Sequence, residues 1–307
     1  MNSILARPRL LGLICGAGAV GLGLAYLLTA GAPPSYLLVN LGALVIGAAA
    51  WLALSATDAR RPAAAGPVVL ALAMAILLTA MFGVAADGAS RWVSVGPLFL
   101  QVSLIVLPVM VVIYARQPDA IGTAGMIVAA IALAAQPDRA MAGVLLAGLV
   151  ALLFAAPSRQ KILAAGAALL AFGWTLLKPD TFPASPYVDR ILYTAFDVHP
   201  LAGLAVVTGA AALVIPGAIG ASQRGSERPV LLGFGACWLA VVVAAALGNN
   251  PTPLVGYGGS AVLGYLLSVA LLPNSIRETN APKMPGSRVV TDQSADTVSD
   301  LRIPSLI

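Results

Sequence analysis

Apolar runs of about 20 residues recur along nearly the whole chain, separated by short interruptions of Pro, Gly, Arg and Asp. That length is what an α-helix needs to cross roughly 30 Å of hydrocarbon. Ten such runs are read at residues 9–30, 36–56, 66–86, 98–115, 119–136, 140–156, 160–177, 201–221, 229–248 and 258–273, and the stretch 98–136 also admits another division. Apolar residues make up 60% of the 307 positions and charged residues 9%, against roughly 45–50% and about 25% in soluble domains. The expected fold class is therefore all-α, a polytopic integral membrane protein with about ten transmembrane helices. Arg7 and Arg9 precede the first run, as in a signal peptide. That run exceeds the roughly 7–15 residues of a signal core, so it is expected to stay as an anchor.

Cytoplasmic loops of membrane proteins collect Lys and Arg. With the N-terminus inside, the ten-span reading places Arg91, Arg139, Lys178 and Arg190 outside and the other thirteen of the 17 basic residues inside. Both termini are then cytoplasmic. The net charge of +5 reports topology, and a nucleic-acid role has no support. Residues 1–273 read as one ten-span membrane domain. Residues 274–307, poor in aromatics and rich in Ser, Thr, Asp and Pro, read as a disordered cytoplasmic tail. Cys15 and Cys237 fall inside apolar runs, where a thiol acts as a small hydrophobe.

No His/Cys cluster, phosphate-binding loop, nucleophile elbow or GxGxxG is present. This excludes the usual metalloprotease, ATPase, serine hydrolase and dinucleotide-binding readings. No metal ligand set is expected, and the sequence leaves open whether a divalent cation is used.

Four outer segments differ from ordinary connectors. The first, residues 87–97, includes Gly88, Ala89, Arg91 and Trp92 and runs on to Gln101 and Ser103. Arg and Trp there also suit a plain interfacial anchor. The second is Gln136-Pro137-Asp138-Arg139, where a helix breaks at proline beside a carboxylate; Gln117-Pro118-Asp119 repeats the pattern on the opposite side. The third, residues 178–200, holds Asp180, Asp189, Arg190, Asp197 and His199. Carboxylates at a low-dielectric lip can supply a general base with a raised pKa, and nearby cations can partner a phosphate. A solvated loop has the same composition. The fourth, residues 249–260, is polar and Gly-rich, ending Gly256-Tyr257-Gly258-Gly259-Ser260. Irregular backbone at membrane depth is tolerated where protein buries it or where it lines a cavity. An outward cavity is the natural inference.

In this order, the segments resemble those of the SEDS family of bacterial cell-wall proteins, the FtsW/RodA group. Gly88, Ala89, Arg91, Trp92, Gln101 and Ser103 match the family's GARRWI…G…QPSE stretch. Gln136, Pro137 and Asp138 match LQPDLGT, and Pro253, Tyr257, Gly258, Gly259 and Ser260 match LPFxSYGGSS. The resemblance covers roughly residues 1–275. It implies polymerisation of glycan strands from lipid II, an undecaprenyl-diphosphate-linked substrate, at the outer face of the bacterial cytoplasmic membrane. It also implies a class B penicillin-binding protein as partner. Val188-Asp189-Arg190-Ile191-Leu192 lies on the family's TDFIF, which makes Asp189 the candidate catalytic base. Arg91, Arg139 or Arg190 would face the diphosphate, and Trp92 and Tyr257 the sugar or isoprenoid. Gln101, Ser103, Gln136, Asp138, Gly258, Gly259 and Ser260 complete the candidate substrate site.

The chain departs from the family pattern at Val102 and Leu104, where Pro and Glu are usual, and at Leu107, where a Lys follows. Those departures favour a second reading, a catalytically degenerate scaffold or regulator of a cell-wall partner. A third reading is a transporter of a lipid-linked precursor. Transporters place charge near the midplane, whereas here it sits at the ends of the runs.

Overall fold

The computed structural model describes residues 4–56, 65–86, 89–179, 183–222 and 225–275. Most of the expected tail therefore lies outside the described residues, as do Asp87, Gly88 and Asp180. The chain folds as α1 (Pro8–Thr29), α2 (Pro34–Ala56), α3 (Ala65–Phe82), β1 (Val84–Ala86), β2 (Ala89–Val95), β3 (Leu98–Gln101), α4 (Val102–Arg116), α5 (Ala120–Ala135), α6 (Arg139–Ala155), α7 (Arg159–Leu176), α8 (Ile191–Val198), α9 (Pro200–Ala212), α10 (Ile215–Ser222), α11 (Arg228–Leu247) and α12 (Gly259–Ala270). By length and composition α1, α2, α3 and α11 each suffice to cross a membrane. The pair α9 and α10, bent by 44°, makes a fifth such crossing. With that pair counted as one and α8 set aside, the described helices overlap the ten apolar runs of the sequence. The protein is thus a helical, polytopic membrane protein. Large apolar side chains such as Val45, Leu52, Phe82, Phe154 and Leu170 face outward along the bundle, as lipid contact requires.

Two departures from a purely helical reading bear on the site. The strands β1, β2 and β3 form a three-stranded antiparallel sheet in that order, so the C-terminal end of one expected span and the first residues of the next are strand. The loop 178–200 also contains a helix of its own, α8. The α9–α10 bend has a covalent cause. Pro216 in the first turn of α10 has no N–H to continue the ladder. The Tyr265 hydroxyl donates to the Leu213 carbonyl at the break, over 3.4 Å.

α12 packs against α1, α2 and α4. Gly264 permits the last contact, because a Cβ there would meet the Leu104 carbonyl oxygen at 2.4 Å. Close backbone approach through small residues is how helices associate in lipid. Trp238, Phe234 and Tyr265 form the aromatic centre, with Trp238 and Tyr265 edge to face at 5.0 Å. The Trp238 indole N–H donates to Ser268 Oγ, so this donor is satisfied within the core.

The two ends of the bundle separate the charges as the sequence sorting expects. At one end Arg9 donates to the Leu272 carbonyl at 2.8 Å, Arg116 donates to the Leu271 carbonyl, and Arg116 pairs with Glu227 at 3.9 Å. These guanidinium groups satisfy carbonyls that the end of α12 leaves open. At the other end Arg91 donates to the Pro137 carbonyl and Arg139 to the Lys178 carbonyl.

Candidate active site

The four irregular segments converge on that second end, and hydrogen bonds join them pair by pair. β2 and β3 set Trp92 directly beside Gln101 across the ladder. At the end of β3 the chain turns into α4. There the Gln101 N–H donates to Ser260 Oγ at 3.0 Å, while its side-chain amide donates to Asp138 Oδ2 at 3.1 Å. Ser103 Oγ reaches the same carboxylate oxygen at 3.4 Å. Arg91 Nη2 meets the Pro137 carbonyl at 2.6 Å. The first segment is thereby bound to the second and the fourth.

The third and fourth segments pair through their backbones. The Thr252 N–H donates to the Val188 carbonyl at 2.9 Å, the Tyr257 N–H donates to the Tyr187 carbonyl at 2.7 Å, and Asp189 forms a β-bridge with Pro251. The local conformation is demanding. Tyr187, Arg190 and Leu254 have φ values of 64°, 59° and 62°, a left-handed geometry costing a non-glycine residue about 1–2 kcal/mol. Strain of this kind persists where surrounding contacts over-determine the backbone, and it clusters at functional sites.

Between these segments and the N-terminal half of α2 lies a cavity of about 820 Å³. Its polar lining comes from Arg91, Trp92, Gln101, Asp189, Tyr257 and Ser260, and its apolar lining from Leu38, Ile46, Phe99, Leu104 and Leu263. Gly258 and Gly259 also line it, so two bare backbone units face the space at the start of α12. Gly258 takes φ +158°, a conformation that L side chains rarely adopt.

Asp189 is the carboxylate of the cavity wall among the described residues. Its Oδ2 accepts the Ser185 N–H at 2.8 Å, and its own N–H donates to the Ser185 carbonyl at 3.0 Å. Partial burial pushes the carboxyl above its ordinary range, and the Ser185 hydrogen bond works against that rise. A carboxylate whose pKa is raised by partial burial and which faces a cavity is a stronger proton acceptor than an ordinary surface Asp.

Other sequence candidates have different surroundings. Asp138 is buried at 1% exposure. It caps α6 by accepting the Met141 N–H through Oδ1, so it braces the cavity wall from behind. Its counterpart at the opposite end, Asp119, caps α5 through the Gly122 N–H. Ser103 and Gln136 are likewise buried, and Gln136 donates to the Ile76 carbonyl. Arg139 and Arg190 do not line the cavity; Arg190 is exposed on the turn before α8. His199 caps α9 by accepting the Leu201 N–H on Nδ1. Among the described residues no group of three or more His, Cys, Asp or Glu stands close enough to hold a metal ion.

Two residues of the fourth segment that the sequence reading did not single out join the site, and one residue outside the four segments escaped that reading. Asn250 and Thr252 line the cavity. Asn40, fully buried on α2, holds the fourth segment through Gly256 and Gly258. A lone Asn in an apolar run was the available signal, because a buried amide needs partners.

No protein family matches the chain by sequence, and no curated relative does. Solved structures do match. The rod shape determining protein RodA of Thermus thermophilus superposes with a TM-score of 0.61 at 22% identity, covering 85% of this chain and 94% of that one. A point mutant of the same protein gives 0.61 at 23% identity over 85% and 95%. A chain of a peptidoglycan synthase complex, described as coordinating polymerisation and crosslinking, gives 0.61 at 23% identity over 85% and 95%. Over most of its length, the chain has the fold of RodA.

Proposed function

We propose that this chain is a peptidoglycan glycosyltransferase of the SEDS type, polymerising lipid II at the outer face of the bacterial cytoplasmic membrane in division or shape maintenance. The observation that carries the reading is Asp189, a carboxylate with a raised pKa set in the wall of an amphipathic cavity. Asp189 takes the proton of an acceptor sugar hydroxyl as that oxygen attacks the anomeric carbon of a second lipid-linked sugar. The bond from that carbon to the diphosphate oxygen breaks, and undecaprenyl diphosphate leaves with the electron pair. General-base assistance of this kind is worth about 10²- to 10⁴-fold.

Arg91 is the cation placed to balance the departing diphosphate. Trp92 and Tyr257 offer flat faces to sugar or isoprenoid. The cavity's apolar side, from Leu38 and Ile46 on α2 to Leu263, suits a polyprenyl chain arriving from lipid. A class B penicillin-binding protein would supply crosslinking. Ten crossings with both termini cytoplasmic set this end of the bundle outside.

Incubating purified protein with lipid II tests the reading. Wild type is expected to yield glycan polymer and Asp189→Asn to lose it by at least about 100-fold. Full polymerisation by Asp189→Asn would remove Asp189 from the mechanism. The second reading, a non-catalytic scaffold, draws on Leu104, an apolar side chain in the cavity where the SEDS pattern carries Glu. Co-purification with a penicillin-binding protein but no glycan product from wild type would select it.

A further inference from the structure

Asn40 sits in a helix otherwise given to lipid and packing contacts, yet its side chain is fully buried. Burying a primary amide costs several kcal/mol unless its hydrogen bonds are made. Both sides of this amide are used on one short stretch of backbone. Nδ2 donates to the Gly256 carbonyl at 2.9 Å, and Oδ1 accepts the Gly258 N–H at 3.1 Å, bracketing Tyr257. One turn earlier on the same face, Tyr36 stacks on the Tyr257 ring at 3.7 Å and 13°. α2 thus grips residues 256–258 at three points.

The grip extends to the catalytic candidate. The gripped segment pairs with residues 187–189 through the Tyr257 to Tyr187 and Thr252 to Val188 hydrogen bonds and the Asp189–Pro251 bridge. Tyr187, Arg190 and Leu254 hold left-handed conformations that relax once external contacts are lost. We infer that Asn40 is a positioning residue: its amide fixes the register of residues 256–258 and, through the paired backbones, the placement of Asp189 in the cavity. This rests on the glycosyltransferase reading for its kinetic consequence but not for its structural one.

The test uses full-length protein in detergent or nanodiscs with Asn40→Leu, an apolar replacement of similar size. Hydrogen exchange read without substrate is expected to rise at the amides of Thr252, Tyr257 and Gly258, while α5 and α6 keep wild-type protection. With lipid II, kcat is expected to fall about 100-fold, as a misplacement near 1 Å can produce, while KM stays within about threefold. Asn40→Asp keeps the inference testable if Asn40→Leu fails to fold. A protonated carboxyl both donates and accepts, whereas an ionised one only accepts. Its kcat relative to wild type is therefore expected to recover toward low pH and drop as pH rises. Unchanged exchange in residues 249–258, or an Asn40→Asp ratio flat with pH, overturns the inference. A wild type that makes no glycan, with Asn40→Leu still releasing those amides, upholds the structural link and sinks the polymerase reading instead.

Discussion

Asp189 and Arg190 are neighbours in sequence with opposite situations, and single substitutions separate them. The Asp189 carboxyl titrates above the ordinary carboxylate range because burial disfavours its charged form. A raised folded-state pKa means that the favourable contribution of the neutral form is complete below the unfolded pKa and is lost as pH rises through the folded one. At neutral pH the ionised group therefore detracts from stability, and Asp189→Asn, whose amide oxygen can still accept the Ser185 N–H, is expected to melt higher while losing polymerisation. A lower melting temperature at pH 7 would contradict this account of the carboxylate. If Asp189 is the base, wild-type kcat also climbs with pH through a midpoint above that of an ordinary Asp. Arg190 holds φ 59° with its side chain outside the cavity lining. Arg190→Gly is expected to leave polymerisation within about threefold and to gain about 1 kcal/mol by relieving the left-handed cost, read by thermal unfolding. Sequence alone marked both residues as candidates, because proximity in the chain cannot tell which way a strained turn points its side chains.

At the level of elements, apolar run length located the helices well, because a lipid-facing surface leaves no other conformation that satisfies the backbone. Pro and Asp marked the junctions for a local reason: Asp119 and Asp138 each cap the helix that follows. The sheet was hidden because β1 and β3 fall inside expected apolar runs, and the polar segment between those runs reads as a loop rather than as the strand β2. The same blindness concealed how Trp92 and Gln101 become neighbours, since their pairing comes from strand register. Gly264 offers a test of the helix scaffold beneath this sheet. A side chain there meets the Leu104 carbonyl and the Ile105 backbone, so Gly264→Val must push α12 from α4 at a cost of about 1–3 kcal/mol. Because Ser260, one turn earlier on α12, accepts the Gln101 N–H, the displacement reaches the cavity wall. The expected result is a lower unfolding temperature together with reduced polymerisation; unaltered values for both would show that the α4–α12 contact does not brace the site.

For the whole molecule, the decisive property is sidedness. The proposed polymerisation of a lipid-linked glycan precursor requires a cavity that opens outward, so on that proposal the end bearing Asp189 and Tyr257 has to face away from the cytoplasm. The distribution of Lys and Arg argues for that orientation, and the structure gathers Arg9, Arg116 and Glu227 at the opposite end around Leu271 and Leu272. Cys15 and Cys237 are both buried, so introduced thiols report without background from the protein itself. Single cysteines at Ala184 and Asn249 mark the cavity end, and at Gln117 and Ser222 the other; all four positions are exposed. In intact cells of a strain whose outer membrane is absent or permeabilised, a charged, membrane-impermeant maleimide is expected to modify Ala184→Cys and Asn249→Cys but to reach Gln117→Cys and Ser222→Cys only after lysis. The mirror-image pattern would place Asp189 in the cytoplasm, where no outer-face polymerisation can occur. Labelling from outside at one position of each pair would instead break the ten-crossing topology, because an odd number of crossings between the reporters scrambles the basic residues that the sequence sorts so unevenly.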